Sequence, residues 1–512
     1  MSDILKGKTG CNRVAAFFIS NKIYIIVAVI HWCITFFTDR LVFIWDDKSN
    51  VFNYAACKVI LLPLLFLIWK AVLEHKKESL DILKYAGIYL IPLVFVMAVK
   101  LRQGYLSNDE SLIFEEAVRL SDYTWFSYLT TWYYILSLML IPFKYGPIFV
   151  KVVIQLLVCG YVVKRMTDLT SKAYGLFTYI PFIFFPVLAY TTSAHRIPVY
   201  FLLYAFLLVK MLIDKAEGRS LSTFDCVRIL ILGTVLTQWR TEGIYLLIIL
   251  PILIFIAYPA LRERKKAVCL IVLFILIQYV VSIPQTGVLP GRMGDKANNR
   301  MGPFYAYTIT NMFRNGLDLE KNTDDIEKVG RYLDISAIER INDDLKDINY
   351  EDVLILYYPG YVGVKEGAES EDYNAYTEGC MNIFRNNPDV FIRTRAGAFN
   401  YAALPYHIGT DAGGIKGIIK LLFSAVKAGF YNLYIPHILL IAGWIISLIK
   451  KKWYVFFAAS GLIGHFIIVF VLAPASYFKY YFPVYFCVYL YLTLFLITAF
   501  YNRNRVDDKV TL

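Results

Sequence analysis

The chain has 512 residues, of which 58% are hydrophobic, 17% aromatic and only 18% charged. A soluble domain carries about a quarter charged residues, and here the apolar residues fall in repeated runs of about 20, the length that crosses a bilayer as a helix. That excludes a soluble enzyme, a DNA-binding protein, a fibrous protein and a β-barrel porin. The formal charge of +12 needs no nucleic acid, because polytopic membrane proteins gather Lys and Arg in cytoplasmic loops. The expected fold class is an all-α polytopic membrane protein.

In chain order, a basic N-terminal stretch (Lys6, Lys8, Arg13, Lys22) has no cleavage-site pattern and reads as a cytoplasmic lead into the first span. Residues 1–78 then hold a pair of predicted spans, 23–38 and 51–73. Residues 79–283 hold 80–99, 147–166, 173–191, 197–213, 226–240, 243–260 and 267–283, with a loop at 101–146 after the first of them. Residues 284–429 form the one polar interval large enough to be a domain. Residues 430–512 carry the spans 430–449, 453–473 and 480–500 and a tail.

Sidedness follows from the basic clusters Lys76/Lys77/Lys84, Lys164/Arg165/Lys172, Lys210/Lys215/Arg219, Arg262/Arg264/Lys265/Lys266, Lys450/Lys451/Lys452 and Arg503/Arg505/Lys509. All fall on the N-terminal, cytoplasmic side only if the apolar stretch 125–143 does not cross. Its first half is crowded with Trp125, Tyr128, Trp132, Tyr133 and Tyr134, residue types that favour the headgroup layer. The reading is twelve spans, both termini inside, juxtamembrane helices in 101–146, and 284–429 outside. Within 317–378 there are 17 Asp and Glu against 6 Lys and Arg, so an acidic outer domain stands above a basic inner face. That domain is expected to be mainly helical, over 324–348 and over 372–401 with a break at Pro388. Its apolar residues (Leu333, Ile338, Ile341, Leu345, Met381, Phe384, Val390, Phe391) could pack on the membrane part. It holds one cysteine, Cys380, and no Asn-x-Ser/Thr sequon, which points to a bacterial plasma membrane over the endoplasmic reticulum.

This topology gathers charge on the outer face. The first outer loop carries Asp109 and Glu110, the next His195 and Arg196, and a very tight turn holds Arg240 and Glu242. Arg292 and Arg300 open the outer domain, and Tyr477, Lys479 and Tyr480 occupy the last outer loop. Carboxylates and cations so placed can meet a lipid-borne phosphate at the outer leaflet. Plainer readings stand beside this one. Ser107-x-x-Glu110 fits a helix capping box. Arg240 and Glu242 can simply pair with each other. Arg196 and Lys479 can snorkel to headgroups, and His195 can be structural. Lys58, inside a span, either snorkels or pairs with an acid near the outer face.

A span followed by a large outer loop with an Asp-Glu pair and juxtamembrane helices resembles the GT-C membrane glycosyltransferases, among them protein O-mannosyltransferases and lipid A aminoarabinose transferases. The span 80–99 corresponds to the first core helix of that family, and Asp109-Glu110 to its first-loop acidic motif. Lys479-Tyr-Tyr-Phe-Pro483 entering a late span is similar to an aromatic-Pro pattern of such chains. The architectural likeness covers about 80–500. The two spans before residue 79, the outer domain between 267–283 and 430–449, and the lack of an Asp-x-Asp in the first outer loop depart from the simplest pattern.

The resemblance implies an inverting transfer of a sugar from a polyprenyl-phosphate donor to a hydroxyl acceptor, a cell-envelope glycan, lipid or protein. Asp109 is the expected base, with Glu110 or Glu242 orienting the acceptor or tuning it. Arg240, Arg196 and Lys479 are expected on the donor phosphate, and His195, Tyr477 and Arg292 in the substrate pocket. No metal ligands are assigned. No nucleotide-binding glycine loop is present, in keeping with a lipid-linked donor. Two rivals remain. A polysaccharide polymerase or ligase would use a polyprenyl-linked oligosaccharide. A transporter or flippase would show an internal repeat and midplane polar groups, whereas here no repeat is visible and Lys151, Gln155, Arg228 and Gln278 are scattered exceptions in apolar runs.

Overall fold

The computed structural model describes residues 18–74, 77–100, 108–122, 126–285, 301–344, 363–365, 367–404, 414–503 and 510. Among them helices are the only extended regular elements, and one isolated bridge joins Leu333 to Val364. Nine helices among the described residues are long and apolar enough to cross a membrane, or ten if the pair Lys172–Phe182 and Phe185–Thr191, bent by 66°, counts as one broken span. The chain is thus a helical protein with the makings of a multi-pass membrane protein. It divides into two compact units.

The first unit comprises Met1–Ile183, Val187–Leu202 and Leu496–Val510. It contains α1 (Lys22–Thr38), α2 (Val51–Leu73), α3 (Lys77–Lys100), α4 (Asn108–Val118), α5 (Tyr128–Leu140), α6 (Gly146–Leu169), α7 (Lys172–Leu176) and most of α8 (Phe185–Thr191). Local chemistry sets several starts. The Asn50 side chain accepts from Phe52 N at 3.0 Å to cap α2, and Pro147 occupies the first turn of α6, where no N–H is needed. The outer surfaces of α1 and α2 expose Phe37 (72%) and Val59 (71%). Apolar exposure continued along whole helices is what an acyl-chain environment stabilises and water does not. Lys58, inside α2, is buried and lies 2.5 Å from Asp39, with Thr35 Oγ1 at 2.6 Å and the Tyr54 hydroxyl donating to Asp39 at 2.7 Å. The pairing reading of Lys58 therefore holds, since a buried ammonium needs a counter-charge.

The segment 125–143 differs in part from expectation. α5 has 13 residues, about 20 Å at 1.5 Å per residue, short of the roughly 30 Å hydrocarbon core. Its rings, however, do not form an exposed belt. Tyr128, Trp132 and Tyr134 are buried. Trp132 Nε1 donates to Asn53 Oδ1 at 3.0 Å and the Tyr134 hydroxyl to Ala194 O at 3.0 Å. Both polar tips found protein partners, so the rings pack inward. Trp125 lies outside the described residues.

The second unit comprises Phe184–Pro186, Leu203–Phe495 and Thr511–Leu512. α9 (Ile197–Ala216) begins in the first unit and ends in this one. It is followed by α10 (Thr223–Trp239), α11 (Leu246–Ala257) and α12 (Arg264–Ile283). A set of shorter helices comes next: α13 (Gly302–Arg314), α14 (Thr323–Tyr332), α15 (Ile335–Asp344), α16 (Ser370–Asn386) and α17 (Pro388–Ala403). The chain closes with α18 (Gly414–Phe430), α19 (Tyr434–Ile449), α20 (Trp453–Leu472) and α21 (Phe482–Arg503).

Helices α13 to α17 build their own core. Leu333, Ile338, Phe384 and Val390 are buried with Phe304, Tyr307, Met312, Val329, Tyr376 and Cys380, and Phe391 packs against them. Of the residues that could have packed on the membrane part, these cover one another instead. Met381 is exposed (42%), and Leu345 lies outside the described residues. The helix expected over 324–348 is two helices. Leu333 is extended and bridges Val364, and Asp334 Oδ1 accepts from Ser336 N at 3.0 Å to start α15. The break expected at Pro388 stands, with the proline in the first turn of α17. Arg395 of α17 is buried and donates to Phe470 O at 2.6 Å and Ala473 O at 2.9 Å, tying α17 to the C-terminal end of α20.

Candidate functional site

The residues singled out in the sequence fall into two clusters, one in each unit. In the first unit, α4 opens with Asp109 and Glu110 in its first turn, where the helix dipole favours carboxylates. Glu110 is buried to 1% exposure. Its Oε1 lies 3.3 Å from Arg196 Nη1 and accepts from the Arg196 backbone N at 3.4 Å, and its Oε2 lies 3.5 Å from His195 Nδ1. The Arg196 guanidinium also lies over the Phe126 ring, 3.5 Å from its centroid, a contact that desolvation strengthens. Asp109 is half-buried. No ion pair or hydrogen bond of its carboxylate is found among the described residues. Ser107, the other half of the capping-box reading, lies outside them.

The segment carrying His195 and Arg196 is held by Lys151 of α6. This lysine is 1% exposed. Its ammonium donates to three backbone carbonyls: Tyr190 at 3.3 Å, His195 at 2.7 Å, and Ser193. The Tyr134 hydroxyl donates to a fourth, Ala194 O, and the Tyr190 and His195 rings lie 5.3 Å apart. Four carbonyls in or after the last turn of α8 thus find donors, which the irregular backbone there requires. Sequence reasoning had Lys151 only as a scattered polar residue. The signal was present: a lysine within an apolar helix is functional or paired by default.

In the second unit, Arg240 and Glu242 flank the turn between α10 and α11. Arg240 Nε donates to Glu242 Oε2 at 3.1 Å, and Arg240 Nη2 meets the other carboxylate oxygen. The plain pairing reading of this turn therefore holds. Gly243 makes it possible: a Cβ there would stand 3.0 Å from Thr237 O and closer still to Leu236 O. Burial pushes the Glu242 carboxyl up, but the Arg240 guanidinium more than offsets this and holds it down at about 2. Such a carboxylate is a weak proton acceptor, so Glu242 is suited to fixing Arg240 and not to taking a proton. Arg240 lies 5.6 Å from the Tyr480 ring, and Lys479 lies 4.7 Å from Tyr477 and 5.8 Å from Tyr480. His465 of α20, which the sequence did not single out, donates from Nε2 to Tyr480 O at 3.0 Å and packs 5.9 Å from the Tyr245 ring.

Arg292 and Arg300 lie outside the described residues. No group of three or more His, Cys, Asp or Glu side chains that could share a metal ion is found among the described residues. Comparison of the chain with protein-family models, curated proteins and solved structures finds no match.

Proposed function

We propose that this chain is a membrane-embedded glycosyltransferase of the GT-C type, moving a sugar from a polyprenyl-phosphate donor to a hydroxyl acceptor at the outer face of a plasma membrane. The observation that carries the reading is the contrast between two neighbouring carboxylates. Glu110 is buried and paired with Arg196, with His195 Nδ1 3.5 Å away, whereas Asp109 is half-buried with no partner among the described residues. A carboxylate held on a helix end and left without a cation partner among the described residues keeps its basicity, as a proton acceptor needs.

In this reading the acceptor hydroxyl gives its proton to Asp109 as its oxygen attacks the anomeric carbon. The bond from that carbon to the phosphate oxygen breaks on the opposite face, so the configuration inverts. The departing polyprenyl phosphate gains negative charge, which Arg196 stabilises. Arg240, in the second unit, is poorly suited to that role, because Glu242 already neutralises it. The twelve-span topology, with α10 and the apolar helical run Thr241–Ala257 crossing, both termini cytoplasmic and 284–429 outside, belongs to the same proposal.

The test is purified protein in nanodiscs, offered single-sugar polyprenyl phosphates and polyprenyl-linked oligosaccharides, with release of the lipid phosphate measured. Consumption of single-sugar donors by wild type and its loss in Asp109→Asn, at unchanged melting temperature, is the expected result. Near-normal turnover in Asp109→Asn refutes the base. Consumption of oligosaccharide donors alone moves the assignment to a polymerase or ligase.

A further inference from the structure

One peptide unit in the first cluster sits between opposite charges. The His195 carbonyl accepts from Lys151 Nζ at 2.7 Å, and the N–H of the same peptide, on Arg196, points at Glu110 Oε1 at 3.4 Å. An ammonium has three donor hydrogens, and three carbonyls surround this one. Among the described residues its donors are directed at backbone carbonyls.

We propose that Lys151 is the positioning residue of the site: it and Glu110 grip the His195–Arg196 peptide from its two ends and so fix the imidazole and the guanidinium against Glu110, the neighbour of Asp109 in α4. The inference rests on the glycosyltransfer reading for its kinetic consequence and on geometry alone for its structural one. Each charge orients the peptide dipole that the other also orients, so the grip is cooperative. The ammonium also stands where the C-terminal carbonyls of α8 present negative potential. Lys151 and Glu110 lie 41 residues apart in sequence, and each reaches the peptide from a different helix. Loss of either one frees the segment to shift by ångströms, and a misplacement of about 1 Å at a reacting centre costs about a hundredfold in rate.

The experiment uses the full chain in nanodiscs and compares wild type, Lys151→Met and Lys151→Arg by hydrogen exchange and by donor turnover. Expected for Lys151→Met is faster amide exchange confined to 190–197. Turnover should fall by about a hundredfold in kcat, with KM for the polyprenyl-phosphate sugar little changed. Lys151→Arg, which keeps the charge and the donors, should recover protection and part of kcat. Unchanged exchange over 190–197 in Lys151→Met overturns the proposal, as does a rise in KM with kcat intact, which would make Lys151 a donor-binding residue. If Lys151→Met does not fold, Lys151→Gln, with two amide donors, takes its place and is expected to show intermediate exchange. If wild type turns over no donor, the glycosyltransfer reading fails, while the exchange comparison still decides the grip.

Discussion

Glu110 and Arg196 form a buried ion pair, 3.3 Å from Oε1 to Nη1, between the first turn of one helix and the start of another 86 residues later in the chain. The pair sits against Phe126 on one side and is reinforced by the Arg196 backbone N–H on the other. Removing one member leaves the other charge buried without compensation, which costs about 3–5 kcal/mol.

Glu110→Gln is therefore expected to lower the unfolding midpoint in detergent markedly, while Asp109→Asn, one residue away, leaves it within error of wild type. Tryptophan fluorescence during thermal or denaturant unfolding checks both. Equal effects of the two substitutions would mean that Glu110 and Asp109 are not differently engaged.

Gly243→Ala should disturb the turn that pairs Arg240 with Glu242. The new methyl group meets the carbonyls of Leu236 and Thr237, and backbone cannot rotate away as a side chain can. A loss of about 1–3 kcal/mol is expected, the usual cost of overpacking. A variant as stable as wild type would show that the turn relaxes without strain.

The Glu242 carboxyl gives a pH dependence with a defined sign. It titrates at about 2 in the folded chain against an ordinary value of 4.5. A value depressed on folding contributes stability that is present above the unfolded value and is lost as pH falls through the folded one. Between about pH 5 and pH 2 wild type should lose more stability than Glu242→Gln, measured as the difference in unfolding midpoint. Parallel pH profiles of the two proteins would remove the Arg240–Glu242 pair as their source.

Arg395→Met should be strongly destabilising although the volumes are similar. It deprives Phe470 O and Ala473 O of the donors seen at 2.6 and 2.9 Å, and each orphaned buried carbonyl costs about 1–3 kcal/mol. Arg395→Lys can serve one carbonyl and should be intermediate. Limited proteolysis of the helices α13 to α17 in the intact protein, faster in the order wild type, Lys, Met, is the readout. An Arg395→Met protein as resistant as wild type would count against the tie.

The topology makes its own prediction. A cysteine introduced at Ser370, at the start of α16, should react with a membrane-impermeant maleimide added to intact cells. One introduced at Lys451, between α19 and α20, should react only after the membrane is opened. The reverse pattern would invert the sidedness on which the outer-face site depends.

Much of the architecture is legible in the sequence. Each of the twelve apolar runs coincides with helical structure, and Pro388 separates two helices at the expected point. These features are written in windows of about 20 residues: apolar length, the missing N–H of proline and the 3.6-residue period act on near neighbours in the chain. Where short-range rules compete with a distant partner, the reading failed. The 324–348 segment has helical composition throughout, yet Leu333 is drawn out of the helix by Val364, 31 residues later. The rings of α5 have the composition of a headgroup belt, yet Asn53 and Ala194 supply their polar tips with partners inside the protein.

The site divides along the same line. Residue types and the turns between apolar helices that hold them follow from chain order and charge, because both are properties of the linear sequence. Which carboxylate is engaged and which is left without a partner among the described residues is set by packing: Arg196 pairs with Glu110, and Lys151 holds the carbonyls just before it. Hydrogen-bond geometry at 3 Å depends on helices that meet only after folding, and no local pattern encodes it.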